Sequence, residues 1–215
     1  MDQRIPQPGD PIDEPAVLVL ASASARRRAL LWQIGVPHRV RVADIDERAR
    51  PGEAPEDCVR RLALAKARQP RSEGLPVLGA DTEVVLDEAL LGKPRDRDSA
   101  LAMLARLSGR THRVLTAVAL VTAAGHQVAL SESEVDFRAL SADERERYWD
   151  SGEPRDKAGG YAIQGLGAVF VSALRGSYSG VMGLPLYETA ALLTAAGIAC
   201  GRGARRPGAD AARAG

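Results

Sequence analysis

The chain has 215 residues, long enough for one substantial core or for two small lobes sharing a cleft. Lys and Arg total 29 against 28 Asp and Glu, and the resulting net charge of +1 gives no electrostatic reason to expect nucleic acid or a membrane surface as a partner. Aromatic residues make up only 4% of the chain, so the core must rest on Ala, Leu and Val, and the two distant cysteines, Cys58 and Cys200, exclude a CxxC motif and a disulfide framework.

Residues 1–15 are polar, acidic and proline-bearing, which predicts a disordered leader and not a signal peptide. Val17–Ala21 is a short apolar run that predicts a buried strand, and Arg26–Ile34 a helix with Leu30, Leu31 and Ile34 on one face and Gly35 as its stop. His38–Val42 alternates as a strand does, and Glu56–Arg68 reads as a helix. Val77–Ala80 and Glu83–Leu86 predict two further strands, and Ser99–Leu107 a helix ended by Gly109. Val114–Thr122 and Gln127–Phe137 predict a hairpin around Ala123–His126. Ser141 and Glu144 have the spacing of a capping box for a helix ending at Gly152. Tyr161–Gln164 and Ala168–Ala173 read as strands, and Pro185 as the first residue of a last helix reaching Gly197. Strands interspersed with helices predict an α/β domain with a mixed sheet over 16–199, followed by a disordered tail over 200–215. The absence of an apolar run near the roughly 20 residues needed to cross a bilayer fits a cytoplasmic protein.

Five constellations can carry chemistry. In Leu20–Arg28, a strand gives way to a helix within a few residues, and such a helix start offers unpaired N–H groups to a phosphate. Ser22 and Ser24 add hydroxyls there, and Arg26 and Arg27 add guanidinium forks. The bland alternative is that Ser24 only caps the helix and the arginines are solvated. Asp44, Asp46 and Glu47 close a strand and are hard oxygen ligands of the kind Mg²⁺ or Mn²⁺ takes, or else an acidic surface loop. Asp81, in an otherwise apolar stretch, is costly to bury unless it is used or paired, so it is a candidate metal ligand or proton acceptor, or a turn residue. Lys93, between Gly92 and Pro94, and Lys66, on a mostly apolar helix, can point to a phosphate or to solvent. Gln164, among clustered glycines, carries one donor and one acceptor for a base edge, or bonds internally. Three histidines with no HExxH spacing leave no His-rich zinc site, and there is no P-loop or dinucleotide fingerprint.

Taken in order, LASASARRR, ADIDE, LALAKA, GADTEVV, LGKPRD, DKAGGYAIQG, GSYSGV and GLPLYET resemble the Maf family of nucleoside triphosphate pyrophosphatases, also called septum formation inhibitors, from about Val17 to Ala196. The resemblance implies a mixed, elongated sheet with helices on its faces and two lobes around a central cleft, as in the related inosine triphosphatases. It implies attack of water on the α-phosphorus of a pyrimidine or modified nucleoside triphosphate, releasing pyrophosphate as nucleotide-pool house-cleaning, with a divalent metal (Mg²⁺, Mn²⁺ or Co²⁺). Asp81 would be the proton acceptor, with Glu47 and Lys93 beside it in the chemistry and Glu47 and Asp81 holding the metal. Ser22, Ser24, Arg26, Arg27 and Lys66 would bind the triphosphate. The DKAGGYAIQG and GSYS segments look like the dTTP/UTP branch, in which Arg26, Thr82 and Gln164 set base preference. A homodimer is implied as well. The other name of the family raises the alternative of a nucleotide-binding, non-catalytic regulator of cell division. This chain departs from the family pattern at Ala25, where Pro is usual, at Asp87-Glu88-Ala89, where an Asp-Gly turn is frequent, and at Gly180, where Asn is usual.

Overall fold

The structure is a computed structural model that describes residues 15–70 and 74–201, so the expected leader and tail fall almost entirely outside the described residues. The elements in chain order are β1 (Leu18–Leu20), α1 (Ala25–Gln33), β2 (His38–Val40), α2 (Pro55–Arg68), β3 (Val77–Leu86), β4 (Ala89–Leu91), α3 (Arg97–Leu107), β5 (Thr111–Thr122), β6 (Gly125–Phe137), α4 (Ala142–Asp150), β7 (Val171–Arg175), α5 (Tyr178–Met182) and α6 (Leu186–Ala195). The strands form one 7-stranded sheet in the order β2-β1-β3-β5-β6-β7, with β4 also on β3. β1 runs parallel to β2 and β3, and the remaining pairs are antiparallel, which is the mixed sheet that the alternation of elements predicts. Among the described residues no helix is long and apolar enough to cross a membrane.

Local chemistry starts the helices where the sequence does. Pro55 opens α2 with Glu56 and Asp57 in its first turn and Lys66 and Arg68 in its last, complementing the helix dipole at both ends. The Ser141–Glu144 box at α4 forms as expected, with Ser141 Oγ accepting from the Glu144 N–H at 3.2 Å and Glu144 Oε2 from the Ser141 N–H at 2.9 Å.

Three expectations are corrected. The two strands expected at 77–80 and 83–86 are one, β3, paired with β5 from Val77 opposite Val121 to Val85 opposite Arg113. Asp81 is a poor strand former by type, but the backbone ladder continues through it because its charge has a partner in Lys66. The hairpin of β5 and β6 is longer than expected: Thr122 already pairs with Gly125, leaving Ala123 and Ala124 as the turn. Tyr161–Gln164 is not a strand. It is an irregular segment between short 3₁₀ turns at Ala158–Gly160 and Leu166–Phe170, and β7 starts only at Val171. The short helix α5 has no counterpart among the predicted elements.

Packing on the two faces of the sheet sets the position of the site. On one face α2 lies directly on β3, with Val59, Ala63 and Ala67 against Val77, Val85, Leu115 and Ala117. A β-carbon at Gly79 would stand 2.4 Å from the Ala63 carbonyl oxygen, so the close approach of this helix requires glycine there. On the other face, Leu18, Leu20, Leu78, Ala80, Val118 and Leu120 pack with α1 and α6. Farther along the same strands, Val84, Leu86, Val114, Val135 and Phe137 pack with α3, α4 and the 161–170 segment. Thr82 and Thr116, opposite one another on β3 and β5, fall between these two apolar clusters.

Candidate functional site

β3 is bordered by β1 at Val77 and Leu78 and by β4 from Val84 to Leu86, both on the edge away from β5. Between them, among the described residues, no strand covers that edge. Side chains from both faces of β3 therefore reach one opening: Asp81 and Glu83 from the α2 face and Thr82 from the other. The opening is a cleft of about 780 Å³. Its lining includes Ser22, Ser24, Arg26, Arg27, Glu47, Lys66, Asp81, Thr82, Lys93 and Gln164, every site residue that the family resemblance implies. Asp44 and Asp46 are not among the lining residues; Asp46 turns to Arg48, whose hydrogen bonds pull its carboxyl down to about 2.

On one wall, β1 leads through Ala21–Ser24 into α1. Ser24 is indeed the N-cap, its Oγ accepting from the Arg27 N–H at 3.4 Å, so the bland reading of this residue holds. The same geometry aims the start of α1 into the cleft. Ser22 is buried, and its Oγ accepts from the Ser24 N–H at 3.2 Å and from Arg27 Nη1 at 3.4 Å. Arg26 and Arg27 are half-buried and bonded to the chain, not free in solvent. Arg27 Nε donates to the Gly183 carbonyl at 2.7 Å and Nη2 to Thr82 Oγ1 at 3.2 Å, while Arg26 Nε donates to the Met182 carbonyl at 3.3 Å. Burial lowers the Arg27 pKa, opposed by Asp81 and Glu47. A guanidinium so desolvated attracts an anion more strongly than one in water. Thr116 Oγ1, 3.1 Å from Thr82 Oγ1 and 2.7 Å from the Gly180 carbonyl, joins this wall to α5.

The floor is a chain of alternating charges. Lys66 is buried, and its Nζ lies 2.7 Å from Asp81 Oδ1 and 2.8 Å from Glu47 Oε1. It does not snorkel to solvent. Lys93 Nζ, more exposed, is 3.7 Å from Glu47 Oε2. Burial pushes the Glu47 carboxyl up, but the Lys66 hydrogen bond and charge, with Lys93 and Arg27, outweigh it and leave it below the usual carboxylate range. Asp81 Oδ2 is buried without a hydrogen-bond partner. Such an atom is costly unless a ligand completes it. Among the described residues, no three His, Cys, Asp or Glu side chains are grouped to hold a metal by themselves. Asp81 Oδ2 and Glu47 fit a hard divalent cation only if a ligand's oxygens complete its shell, the usual situation of Mg²⁺ at phosphate sites.

Glu83 lies outside the expected set. It lines the cleft beside Asp81, and its Oε2 is buried without a partner. Burial, then the Asp81 charge, push its carboxyl up to about 7 against the pull of Lys66. Its spacing of two from Asp81 puts both on one face of a strand, a signal in the sequence that the expected break at 81–82 hides. The opposite wall comes from 156–164. Gln164 is exposed there, and among the described residues its amide makes no hydrogen bond, against the internally bonded alternative.

The departures from the family pattern can be placed. Ala25 is the first residue of α1, where proline's missing N–H would cost nothing, so alanine keeps the same helix start. Gly180 does not line the cleft; a β-carbon there would face Ser177 and Ser131. Asp87 and Glu88 form the two-residue turn between β3 and β4 with φ of 53° and 58°.

Residues 17–196 match the model of the family described as Maf-like protein. Curated relatives named dTTP/UTP pyrophosphatase include one from Saccharophagus degradans, 53% identical over 85% of this chain and 90% of the relative. Another, from Alkalilimnicola ehrlichii, is 57% identical over 82% of this chain and 91% of its own length. A third, from Cupriavidus metallidurans, is 52% identical over 85% and 98%.

Proposed function

The chain belongs to the Maf-like protein family, and we propose that it is a nucleoside triphosphate pyrophosphatase that hydrolyses dTTP and UTP to the monophosphate and pyrophosphate. The observation that carries this is the convergence of ten side chains from separate segments on one cleft, one of them a buried Asp81 with an oxygen left without a partner. The relatives are named as enzymes, and that unused oxygen is what a base needs, so a non-catalytic regulator is not favoured.

In this reading the triphosphate lies along the open edge of β3, its charge met by Arg27, Lys66 and Lys93 and by the N-terminus of α1. Lys66 holds Asp81 through Oδ1, and Oδ2, which has no hydrogen-bond partner, is the oxygen assigned to accept a proton from the attacking water. The bond from the α-phosphorus to the bridging oxygen breaks, and pyrophosphate leaves towards the lysines. A divalent cation (Mg²⁺, Mn²⁺ or Co²⁺), held by Asp81 and Glu47 with phosphate oxygens, would supply charge neutralisation at the reacting phosphate. Gln164, on the wall facing α1, and a backbone group would pair with O4 and N3–H of uracil or thymine; cytosine presents the reverse pattern and fits worse. Arg26 and Thr82 share in base preference in this reading. A homodimer in the cytoplasm completes it, and light scattering on the eluted protein measures the assembly.

The direct test is pyrophosphate release from dTTP, UTP, CTP and 7-methyl-GTP with Mg²⁺ or Mn²⁺. Preference for dTTP and UTP is expected, and no release from any of them overturns the assignment.

A further inference from the structure

The wall that carries Gln164 is irregular chain, and irregular chain needs another source for the hydrogen bonds that a strand would supply. Two side chains from outside it supply them. Tyr148, buried in the last part of α4, donates its hydroxyl to Glu153 Oε1 at 2.6 Å and accepts the Ala162 N–H at 3.0 Å. Glu153, just past the left-handed Gly152, accepts the Gly167 N–H on Oε1 at 3.0 Å and the Leu166 N–H on Oε2 at 2.9 Å. Three backbone amides flanking Gln164 are thus tied to one phenol and one carboxylate. Burial pushes the Glu153 carboxyl up, but Tyr148 and the two amides outweigh it and hold it below its usual range. Burial and the neighbouring Glu153 raise the Tyr148 pKa, so the phenol keeps its proton and remains a donor.

The glycines of this segment follow from the same contact. Gly165 and Gly167 have no positive φ to explain them. A β-carbon at Gly165 would stand 2.1 Å from Glu153 Oε2, and one at Gly167 2.7 Å from Tyr148 Oη. Because that carboxylate is pinned by three donors, it cannot swing aside without losing them.

We propose that Tyr148 and Glu153 are specificity-positioning residues: they clamp 162–167 so that Gln164 presents its amide to the base at a fixed place in the cleft. This rests on the assignment of Gln164 to the base. Neither residue lines the cleft, and the groups assigned to the triphosphate stand on other elements. Loss of the clamp therefore affects base selection and leaves phosphate binding alone.

The experiment compares the full chain with Glu153→Gln, Tyr148→Phe, Gln164→Ala and the double variant Glu153→Gln/Gln164→Ala. A glutamine has one acceptor oxygen in place of two, so it cannot hold the whole set of donors. Three readouts are taken: amide hydrogen exchange, kcat/KM for dTTP and CTP, and inhibition by inorganic pyrophosphate. For Glu153→Gln, faster exchange at 162–167 is expected, with a fall of about tenfold in the dTTP-to-CTP ratio and unchanged pyrophosphate inhibition. The double variant should discriminate no worse than Gln164→Ala alone, because the clamp acts through Gln164. Tyr148→Phe, which deletes one hydroxyl, keeps the test open if Glu153→Gln does not fold. Unchanged exchange, an unchanged ratio, equal loss on both nucleotides or an additive double variant overturns the clamp. A wild-type chain that releases no pyrophosphate overturns the assigned activity and the clamp's role together, whereas an active chain with an unchanged ratio overturns the clamp alone.

Discussion

Lys66 and Asp81 meet at 2.7 Å between α2 and β3, and the contact uses only one oxygen of the aspartate. The helix reaches the strand because Gly79, two residues before Asp81, has no side chain to hold it off. A buried ammonium thus compensates the carboxylate while its second oxygen has no hydrogen-bond partner. That relationship separates two functions usually combined in a buried ion pair, and it makes the consequences of altering Asp81 specific.

Asp81→Asn keeps the shape of the side chain and removes its capacity to take a proton. At saturating Mn²⁺ the turnover of dTTP should fall by a factor on the order of 10²–10⁴, well beyond any loss of nucleotide binding that follows from the amide being a poorer ligand for the cation. Pyrophosphate release and equilibrium binding of dTTP, measured on the same preparation, check this. Equal loss of binding and turnover would assign Asp81 to binding alone.

Glu47 is the more exposed of the two carboxylates assigned to the metal, and it also contacts Lys66 and Lys93. Chelation with EDTA should abolish turnover, and readdition of Mn²⁺ or Mg²⁺ should restore it. In Glu47→Gln, the cation concentration for half-maximal rate should rise by roughly tenfold or more, since a neutral amide is a poorer ligand for a hard cation. A titration of rate against free metal reads this directly.

The turn between β3 and β4 places Glu88 at a φ of 58°, a region that suits glycine and disfavours a side chain. Its contact with the half-buried Arg113 leaves Glu88 itself largely exposed, and Arg113 is also paired with Glu56 and Glu132, so the contact adds little. Glu88→Gly should therefore stabilise the fold by about 1 kcal/mol, less what the freer unfolded chain takes back. Chemical denaturation of the two proteins at pH 7 measures the difference, and activity should not change.

His112 is buried between Phe137 and Tyr161, its Nε2 2.8 Å from the Tyr161 hydroxyl and its Nδ1 without a partner. Burial pushes its pKa down to about 4, against a smaller opposite effect of Asp136. The unfolded chain, with an ordinary histidine near 6.5, binds the proton more readily than the folded one. The stability contributed by neutral His112 is therefore complete above about pH 6.5 and is lost as pH falls towards 4, by up to about 3 kcal/mol. The urea midpoint should drop over that window in the wild type and drop less in His112→Gln. Parallel curves for the two proteins would show that other groups govern the acid limb.

Much of the molecule is legible in the order of its residues because the responsible interactions are local. The Ser141–Glu144 box and Pro55 before an acidic first turn each act within a few residues, so α4 and α2 stand where expected, and β5 and β6 differ from expectation only at their ends. The ordered motifs also identified the ten cleft residues by type. Three things depended on the tertiary structure. The break expected at Asp81 does not occur, because strand continuity is a property of the ladder with β5 and of the distant Lys66, neither visible from positions 77–86. Glu83 joins the cleft only because β1 and β4 leave the edge of β3 open between them. The segment 161–164 reads as a strand in the sequence but is held as an irregular wall by Tyr148 and Glu153, whose hydrogen bonds replace the missing ladder. Residue type and spacing determined which groups this protein carries; contacts between segments far apart in the chain decided which of them share one desolvated space, and that sharing is what gives a carboxylate, a lysine or an amide its chemistry.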